Sequence, residues 1–302
     1  MPPEQLAPIR AGLLARRSAP PPPIEARRAG FEAQMAALPV DPEVTVQRID
    51  LGGLSALRSR HGEPSGRVLL WLHGGAFVLG CAESYRPFAA RLARACRCDV
   101  IVLDYRRAPE HPFPAAHDDA HAALEALEES GYAMADIAIG GDSCGANLAL
   151  AAVHSRIADE RSVPAALWLI SPYLDLTHTG NSIVSRAPAD PFIDTSGMDD
   201  TAGIYLGEAN PAQRRASPLF AAALGLPPTL IQIGSDEVLF DDAARLRDRI
   251  ETAGGRAVFQ EWAGMIHVWP LFAHVVDEGQ WAIQQGGAFL GQVWPPVASA
   301  PE

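Results

Sequence analysis

Apolar segments of strand length alternate with helical segments along most of this chain. The strand candidates are VTVQRIDL (45–52), LSALRSR (54–60), RVLLWL (67–72), DVIVLDY (99–105), DIAIGG (136–141), AALWLIS (165–171), TLIQIG (229–234) and RAVFQEW (256–262). Helical spacing marks residues 83–96, 114–129, 145–157, 238–255 and 273–290. Because parallel strands need crossover connections, the alternation predicts an α/β fold with a mostly parallel eight-stranded sheet flanked by helices. The first two strands are expected to pair as an antiparallel hairpin.

Two segments depart from this rhythm. The first forty residues hold a proline run, Pro20 to Pro23, between two amphipathic stretches rich in Arg and Ala, which predicts two short helices. Residues 176–218 separate two strand candidates, and a connection this long usually has a function such as that of a lid. The predicted organisation is N-terminal cap helices at 1–40, a core at 41–175 and 219–302, and a cap insertion at 176–218.

The overall charge limits the partners of the chain. Its formal net charge is −12, with 48% hydrophobic and 20% charged residues, as expected for a folded protein. A nucleic-acid-binding protein needs a basic surface, so we predict no nucleic-acid partner. Strongly anionic ligands are disfavoured for the same reason, and a neutral small molecule is the expected substrate.

Membrane insertion and secretion are also disfavoured by the sequence. The chain contains no apolar run of 18 residues, and IRAGLLARR near the N-terminus is short and charged. The four cysteines, Cys81, Cys96, Cys98 and Cys144, include no C-x-x-C pair. We therefore predict a cytoplasmic protein with reduced thiols and no stable membrane insertion.

GDSCG, residues 141–145, places a serine between small residues at the junction of a strand and a helix. Gly141 and Gly145 allow a sharp turn that lifts the Ser143 hydroxyl above the edge of the sheet. The sequence therefore predicts that Ser143 is a nucleophile. Cys144 is the competing nucleophile, because a thiol at a helix N-terminus favours the thiolate. Its side chain is nevertheless expected to turn away from the base.

A serine nucleophile needs a general base and an acid that orients it. In a fold of this strand order the acid and then the histidine follow the serine along the chain. His267, in the loop after RAVFQEW, is the predicted base, whereas His274 is expected at the start of the last helix. Asp236, at the end of TLIQIGS, is the predicted acid, and its neighbour Glu237 is expected to point elsewhere.

The remaining acidic residues near this strand have a simpler interpretation. Asp241 and Asp242 fall in the first turn of the following helix, where negative charge stabilises the helix N-terminus.

Backbone N–H groups for a developing oxyanion are expected from HGGAF, residues 73–77, and from Cys144. Phe77, Phe192 and Trp269 are predicted as apolar walls of the substrate pocket, with ordinary core packing as the alternative.

Several motifs together resemble the hormone-sensitive-lipase family of α/β-hydrolase esterases, also called bacterial family IV. The motifs are HGGAF (73–77), YRRAPEHPFPAAHDDA (105–120), GDSCGANLAL (141–150), SPYLDLT (171–177), GSDEVLFDDA (234–243) and GMIHVW (264–269). The resemblance covers nearly the whole chain from about residue 40. It implies hydrolysis of carboxylic esters of short to medium acyl chains, with no metal or cofactor, and assembly often as a homodimer.

The resemblance also assigns roles around the nucleophile. It places the oxyanion donors at Gly75 and Ala76, with Gly74 supporting the turn. Ala76 stands where the family has a third glycine; it keeps its N–H, so the oxyanion hole is retained if φ is negative there. Asp142 and Glu110 either brace this loop, as the resemblance implies, or have a local role in a cap or turn. Cys144 replaces the usual alanine. Apart from the resemblance, Asp175 is expected to hold a loop, and Asp190 either lines the cap side of the pocket or packs within its loop.

These expectations favour a serine carboxylesterase that forms an acyl-enzyme on Ser143. A lactonase with the same residues is the alternative within this mechanism. A non-catalytic ligand receptor is a different class, and the presence of His267 argues against it.

Overall fold

Eight strands form one sheet in the computed structural model, which describes residues 4–17 and 22–294. The strands are β1 (Val44–Leu51), β2 (Leu54–His61), β3 (Val68–Leu72), β4 (Asp99–Leu103), β5 (Ile137–Asp142), β6 (Ala166–Ile170), β7 (Thr229–Gly234) and β8 (Ala257–Trp262). Their order across the sheet is β1-β2-β4-β3-β5-β6-β7-β8. Only β1 with β2 and β2 with β4 pair antiparallel, so the predicted, mostly parallel sheet is confirmed.

The central strands are buried on both faces, which explains their continuous apolar sequences. Every residue of β3 to β7 is buried, whereas β1 and β8 at the edges are partly exposed. Gly140 of β5 leaves room for the ring of its register partner Trp71, since a Cβ there would lie 2.8 Å from the indole. Trp71 packs edge-on against Trp168 with ring centroids 5.4 Å apart.

Helices cover both faces of the sheet, as predicted. They are α1 (Ala7–Arg17), α2 (Ile24–Ala36), α3 (Arg86–Cys96), α4 (Ala115–Glu129), α5 (Cys144–Ala158), α6 (Ser182–Ser185), α7 (Met198–Leu206), α8 (Phe240–Thr252) and α9 (Asp277–Val293). Helices α4, α5 and α8 pack in one apolar cluster, and α3 with α9 pack in the other. His274 lies in a turn before α9 rather than in the helix. None of the helices in the described part of the chain could span a membrane.

The N-terminal helices and the 176–218 segment meet at the ends of the parallel strands. Helices α1 and α2 lie on either side of the proline run, of which Pro20 and Pro21 fall outside the described residues. The long segment contributes α6 and α7. Arg10 of α1 donates to the carbonyl of Ala189 at 2.7 Å, and Arg28 of α2 donates to Val78 after β3 at 2.7 Å. The division of the chain into a cap and a core stays a prediction.

Candidate active site

Ser143 occupies the sharp turn between β5 and α5. Its backbone angles are φ 54° and ψ −122°, a conformation that a non-glycine residue adopts only when its surroundings impose it. Two backbone hydrogen bonds hold the turn: Ser143 N–H donates to Ile170 at 2.9 Å, and Tyr173 N–H donates to Ser143 at 3.1 Å. The hydroxyl is therefore presented on a rigid support at the carboxyl end of the sheet.

Gly141 and Gly145 are required by close backbone approaches on either side of Ser143. A Cβ at Gly145 would lie 1.9 Å from the carbonyl oxygen of Leu72, and a Cβ at Gly141 would lie 2.4 Å from the carbonyl carbon of Gly145. No larger residue fits either position without moving backbone. The predicted reason for the two glycines therefore matches the local geometry.

His267 is placed to act on Ser143. The loop after β8 brings His267 Nε2 to 3.0 Å from Ser143 Oγ and Nδ1 to 2.9 Å from Glu237 Oε2, with only 3% of the residue exposed. Because a carboxylate only accepts, the contact assigns the proton to Nδ1 and leaves Nε2 free to accept from the serine hydroxyl. The predicted histidine is thus beside the predicted serine.

Glu237, not Asp236, is the carboxylate on His267, so the prediction that Asp236 orients the histidine is wrong. Glu237 is fully buried, and its other oxygen accepts from Gly234 N–H at 2.6 Å and from Ser171 Oγ at 2.8 Å. Burial raises the pKa of Glu237, against the hydrogen bonds from His267, Gly234 and Ser171, which lower it. Asp236 faces outward and pairs with Arg10.

The HGGAF loop follows β3 and turns sharply in front of Ser143. Gly75 has φ 123°, and Ala76 has φ 53°, so the negative φ that was the condition for a donor at Ala76 is not observed. The cause is a tight turn in which Val78 and Leu79 both donate to the carbonyl of Gly75, at 3.0 and 2.8 Å. Alanine tolerates the left-handed region at some cost, which the turn imposes.

The N–H groups of this loop are divided between structural bonds and the space near Ser143. Gly74 N–H donates to the hydroxyl of Tyr85 at 3.0 Å, so Gly74 supports the turn and is not available as a donor to an oxyanion. Within residues 4–17 and 22–294, the N–H groups of Gly75, Ala76 and Cys144 donate to no backbone carbonyl outside a helix or strand ladder. Their role as donors to an oxyanion stays a prediction.

Comparison with known proteins agrees with this arrangement. The sequence profile of the alpha/beta hydrolase fold matches residues 69–271. The chain is 39% identical over 272 residues to an acetyl-hydrolase of Streptomyces hygroscopicus, covering 88% of this chain and 89% of that protein. It also resembles the crystal structure of an esterase from the bacterial hormone-sensitive lipase family, with TM-score 0.94, 36% identity and coverage of 98% and 100%. This chain belongs to the hormone-sensitive-lipase family of α/β-hydrolase esterases.

A further solved structure supports the membership of this esterase in the family. EstE5, from a crystal soaked with p-nitrophenyl butyrate, has TM-score 0.90 and 35% identity, with 97% of this chain and 99% of that chain covered. The family resemblance predicted from the motifs is thereby confirmed. Among the described residues of the esterase, no group of three or more His, Cys, Asp or Glu side chains could hold a metal ion.

Asp142 braces the HGGAF loop of the esterase from beneath. Its carboxylate accepts from Tyr85 OH at 2.7 Å and from Trp71 Nε1 at 3.0 Å. Tyr85 in turn accepts the N–H of Gly74, so the carboxylate supports the loop through one side chain. Burial, the largest influence, raises the pKa of Asp142 to about 6. The predicted bracing contact therefore exists, and it is indirect.

Glu110 supports the same region from the opposite side. It forms an ion pair with Arg28 at 2.6 Å, and the hydrogen bond from this guanidinium lowers the pKa of Glu110 to about 2. Arg28 also donates to the carbonyls of Val78 and Ala108, each at 2.7 Å. Helix α2 is thus fixed to the chain that follows the HGGAF loop.

Cys144 has a structural role that the sequence did not reveal. Its sulfur is fully buried, accepts from Phe77 N–H at 3.1 Å and lies 3.8 Å from Tyr105 OH. Burial raises the pKa of Cys144 to about 12, so the expectation of a favoured thiolate at the helix N-terminus is wrong. The thiol joins the start of α5 to the HGGAF loop.

The three predicted pocket aromatics occupy three different environments. Phe192 packs edge-on against His267, with ring centroids 5.3 Å apart. Phe77 is buried and stacks on Tyr205 of α7 at 3.7 Å. Trp269 is fully buried in the cluster of α3 and α9, where it packs on Trp262 at 5.7 Å. Trp269 is therefore part of the core, and its prediction as a pocket wall is wrong.

Two acidic side chains hold loops around the site. Asp175 is buried and accepts from Thr177 N–H at 2.9 Å and from Arg245 at 2.9 Å, as its loop role predicted. Asp242, in the first turn of α8, accepts the N–H groups of Leu174 and Asp175 at 2.7 and 3.0 Å. Its burial raises the pKa to about 7. Asp242 thus fixes the segment that follows β6 in addition to lying at a helix N-terminus.

Proposed function

We propose that this esterase hydrolyses neutral carboxylic esters of short to medium acyl chains through an acyl-enzyme on Ser143. The observation that carries the proposal is the continuous chain of contacts from Ser143 Oγ to His267 Nε2 at 3.0 Å and from His267 Nδ1 to Glu237 at 2.9 Å. This is the arrangement of a serine nucleophile, its base and an orienting acid.

In the first step, His267 Nε2 removes the proton of Ser143 as Oγ attacks the ester carbonyl carbon. The resulting imidazolium keeps its Nδ1 proton and donates it in a hydrogen bond to Glu237. The buried carboxylate stabilises the positive charge of the ring. Since Glu237 already accepts from Gly234 and Ser171, it is fixed before the reaction begins. The role of the acid is therefore orientation and charge stabilisation.

The carbonyl oxygen becomes an oxyanion in the tetrahedral intermediate. The N–H groups of Gly75, Ala76 and Cys144 are the donors that the geometry supports for it. Loss of one such donor costs about 3–4 kcal/mol of transition-state stabilisation in serine hydrolases. The brace formed by Asp142 and Tyr85 keeps the loop in position for this contact.

Collapse of the intermediate breaks the ester bond, and the leaving alcohol takes the proton from His267. A water molecule then attacks the acyl-enzyme carbonyl, giving one proton to His267 Nε2. The second intermediate collapses to the free acid as the proton returns to Ser143. The reaction consumes one ester and one water and yields one acid and one alcohol.

The segments above the site support the substrate class. We interpret α1, α2 and residues 176–218 as a cap, with Phe192 as an apolar wall beside His267. The net charge of −12 favours a neutral substrate. The acetyl-hydrolase name of one relative and the p-nitrophenyl butyrate soak of another both favour small acyl groups.

The test is hydrolysis of p-nitrophenyl esters from acetate to decanoate. We expect turnover with a rapid first release of p-nitrophenol equal to the enzyme concentration when deacylation is slower than acylation. Ser143→Ala should remove turnover, and Ser130→Ala, a serine at the end of α4, should retain it. Full activity in Ser143→Ala would contradict the proposal, and binding of esters without turnover would indicate a receptor.

A further inference from the structure

The residues between β7 and α8 form a loop, 235–239, that carries Glu237 and is called the acid loop here. Residues 182–190 contact it along its length. Ser182 Oγ donates to the carbonyl of Val238 at 2.6 Å, and Arg186 donates to the carbonyl of Ser235. Arg186 also stacks on the ring of Phe240, 3.6 Å from its centroid. The acid loop is therefore supported by a segment distant from it in sequence.

Arg10 of α1 joins these two segments through one guanidinium. Nη1 lies 2.8 Å from Asp236 Oδ2, and Nη2 donates to the carbonyl of Ala189 at 2.7 Å. Asp236 directly precedes Glu237, and Ala189 directly precedes Asp190. The N-terminal helix thus fixes the backbone on one side of the carboxylate that contacts His267.

Asp190 makes the corresponding connection on the other side of Glu237. The residue is 1% exposed, and its Oδ2 accepts the N–H of Val238, which directly follows Glu237, at 3.0 Å. Its Oδ1 accepts the N–H groups of Phe192 and Ile193 at 2.8 and 3.0 Å. One buried carboxylate therefore fixes both the chain beside the acid and the residue whose ring packs on His267.

We propose that Arg10 and Asp190 are positioning residues of the esterase, holding Glu237 and Phe192 so that His267 stays aligned with Ser143. The proposal rests on the function proposed above for Ser143, His267 and Glu237. The side chain of Glu237 is longer than that of an aspartate, so its carboxylate has more freedom to move. The backbone on both sides of Glu237 must therefore be fixed to hold the carboxylate against the imidazole. A displacement of about 1 Å in such a group can cost about 100-fold in rate.

The positioning role of Arg10 can be measured separately from its contribution to the stability of the protein. Side chains of Arg10 and Asp236 are 22% and 21% exposed. Because both side chains keep some contact with solvent, removal of Arg10 should lower the melting temperature modestly, and comparison with another arginine variant of α1 measures this loss. A fall in kcat in such a variant would then report on alignment of the triad.

The experiment compares Arg10→Gln and Asp190→Asn with two matched controls. Arg16→Gln removes another arginine of α1, one that reaches Gln34 at 3.1 Å. Asp119→Asn removes another buried carboxylate, which accepts the N–H of Arg106 at 2.8 Å and has no hydrogen bond to the acid loop. Each variant is assayed for kcat and KM on p-nitrophenyl esters of increasing acyl length, and its melting temperature is recorded.

We expect kcat to fall about 10-fold in Arg10→Gln and about 100-fold in Asp190→Asn, with KM within about twofold and the acyl-length preference unchanged. Arg10→Lys should recover part of the loss, since one ammonium can reach one of the two partners. The controls should keep their kcat. If Asp190→Asn does not fold, the three arginine variants decide the question.

Two results would overturn the inference. One is a wild-type kcat in Arg10→Gln, and the other is a changed acyl-length preference with kcat intact, which would mean that these residues shape the pocket only. Ser143→Ala is assayed in parallel: if it retains activity, the proposed function fails. If it is inactive while the positioning variants match their controls, only the present inference fails.

Discussion

The carboxylate of Glu237 lies 2.9 Å from Nδ1 of His267. Its neighbour Asp236, one residue earlier at the end of the same strand, faces outward to Arg10 at 2.8 Å. Two adjacent acids therefore have different tasks: one orients the histidine, and the other joins the loop to the N-terminal helix. The difference can be measured, because each residue has an uncharged isostere.

Glu237→Gln should lower kcat by about 10³- to 10⁴-fold, because the amide can donate to the imidazole and favour the wrong tautomer. Asp236→Asn should cost far less, about 10-fold or below, since it alters the support of the loop alone. Steady-state hydrolysis of p-nitrophenyl butyrate by both variants measures the difference. Equal losses, or a larger loss in Asp236→Asn, would contradict the assignment of Glu237.

Gly145→Ala should destabilise the protein by about 3 kcal/mol or more, because the added methyl lies on the backbone at Leu72 and overpacking is costly. Gly291→Ala is the matched control, since a Cβ there meets nothing within 4 Å and the position is inside α9. Alanine at position 291 should add about 0.5–1 kcal/mol of stability. Urea unfolding measures both; a Gly145→Ala protein as stable as wild type would refute the packing argument.

Native enzyme should retain its activity after treatment with iodoacetamide at pH 8. The Cys144 thiol is fully buried, and its pKa is raised to about 12, so almost no thiolate forms. Cys81, which is partly exposed, should carry the label instead. Mass spectrometry of the labelled protein locates the modified cysteine. Rapid inactivation that is absent in Cys144→Ala would show that this thiol is accessible after all.

His117 should make the protein less stable in mild acid. Burial, its largest influence, lowers the pKa of His117 to about 3, and the hydrogen bond to Asn147, which raises the pKa, does not offset the effect of burial. Between pH 6.5 and about 3 the unfolded chain takes up a proton that the folded one does not, so stability falls as the pH falls. At pH 5 the loss relative to pH 7 is about 2 kcal/mol.

The matched variant is His117→Gln, which keeps one donor and one acceptor at this position. Urea unfolding of both proteins at pH 7 and pH 5 gives the two differences. The loss between these pH values should be smaller in the variant by about 2 kcal/mol. Asp142 and Asp242, whose pKa values are raised, act in the opposite sense in both proteins and cancel in the comparison. An equal loss in both proteins would exclude His117 as the source.

The strand segments and the positions of Ser143 and His267 could be predicted because each follows from the chain itself. Apolar runs locate the buried strands, Ser143 comes directly after β5, and His267 lies in the loop after β8. Asp236 and Glu237 follow the same strand one residue apart, so chain order alone could not separate them. The choice is made by tertiary contacts: Ser171 and Gly234 donate to the carboxylate of Glu237.

The pocket walls were less predictable for a related reason. Trp269 is two residues from His267, and nearness in sequence suggested nearness to the substrate. Val268 between them has a left-handed conformation, φ 50°, and its N–H donates to Ser171 at 3.0 Å. The chain turns there, so the indole enters the opposite apolar cluster. A single backbone angle of this kind cannot be predicted from residue type, since valine disfavours it.

The sulfur of Cys144 contacts two residues that lie far from it, and from each other, in the sequence. It satisfies the N–H of Phe77 at 3.1 Å and packs beside Tyr105. A side chain at 144 that cannot accept a hydrogen bond leaves this buried N–H without its partner unless the loop shifts. Substitutions at 77, 105 and 144 should therefore be tolerated in combinations rather than singly, and libraries that diversify the catalytic turn would best randomise the three codons together.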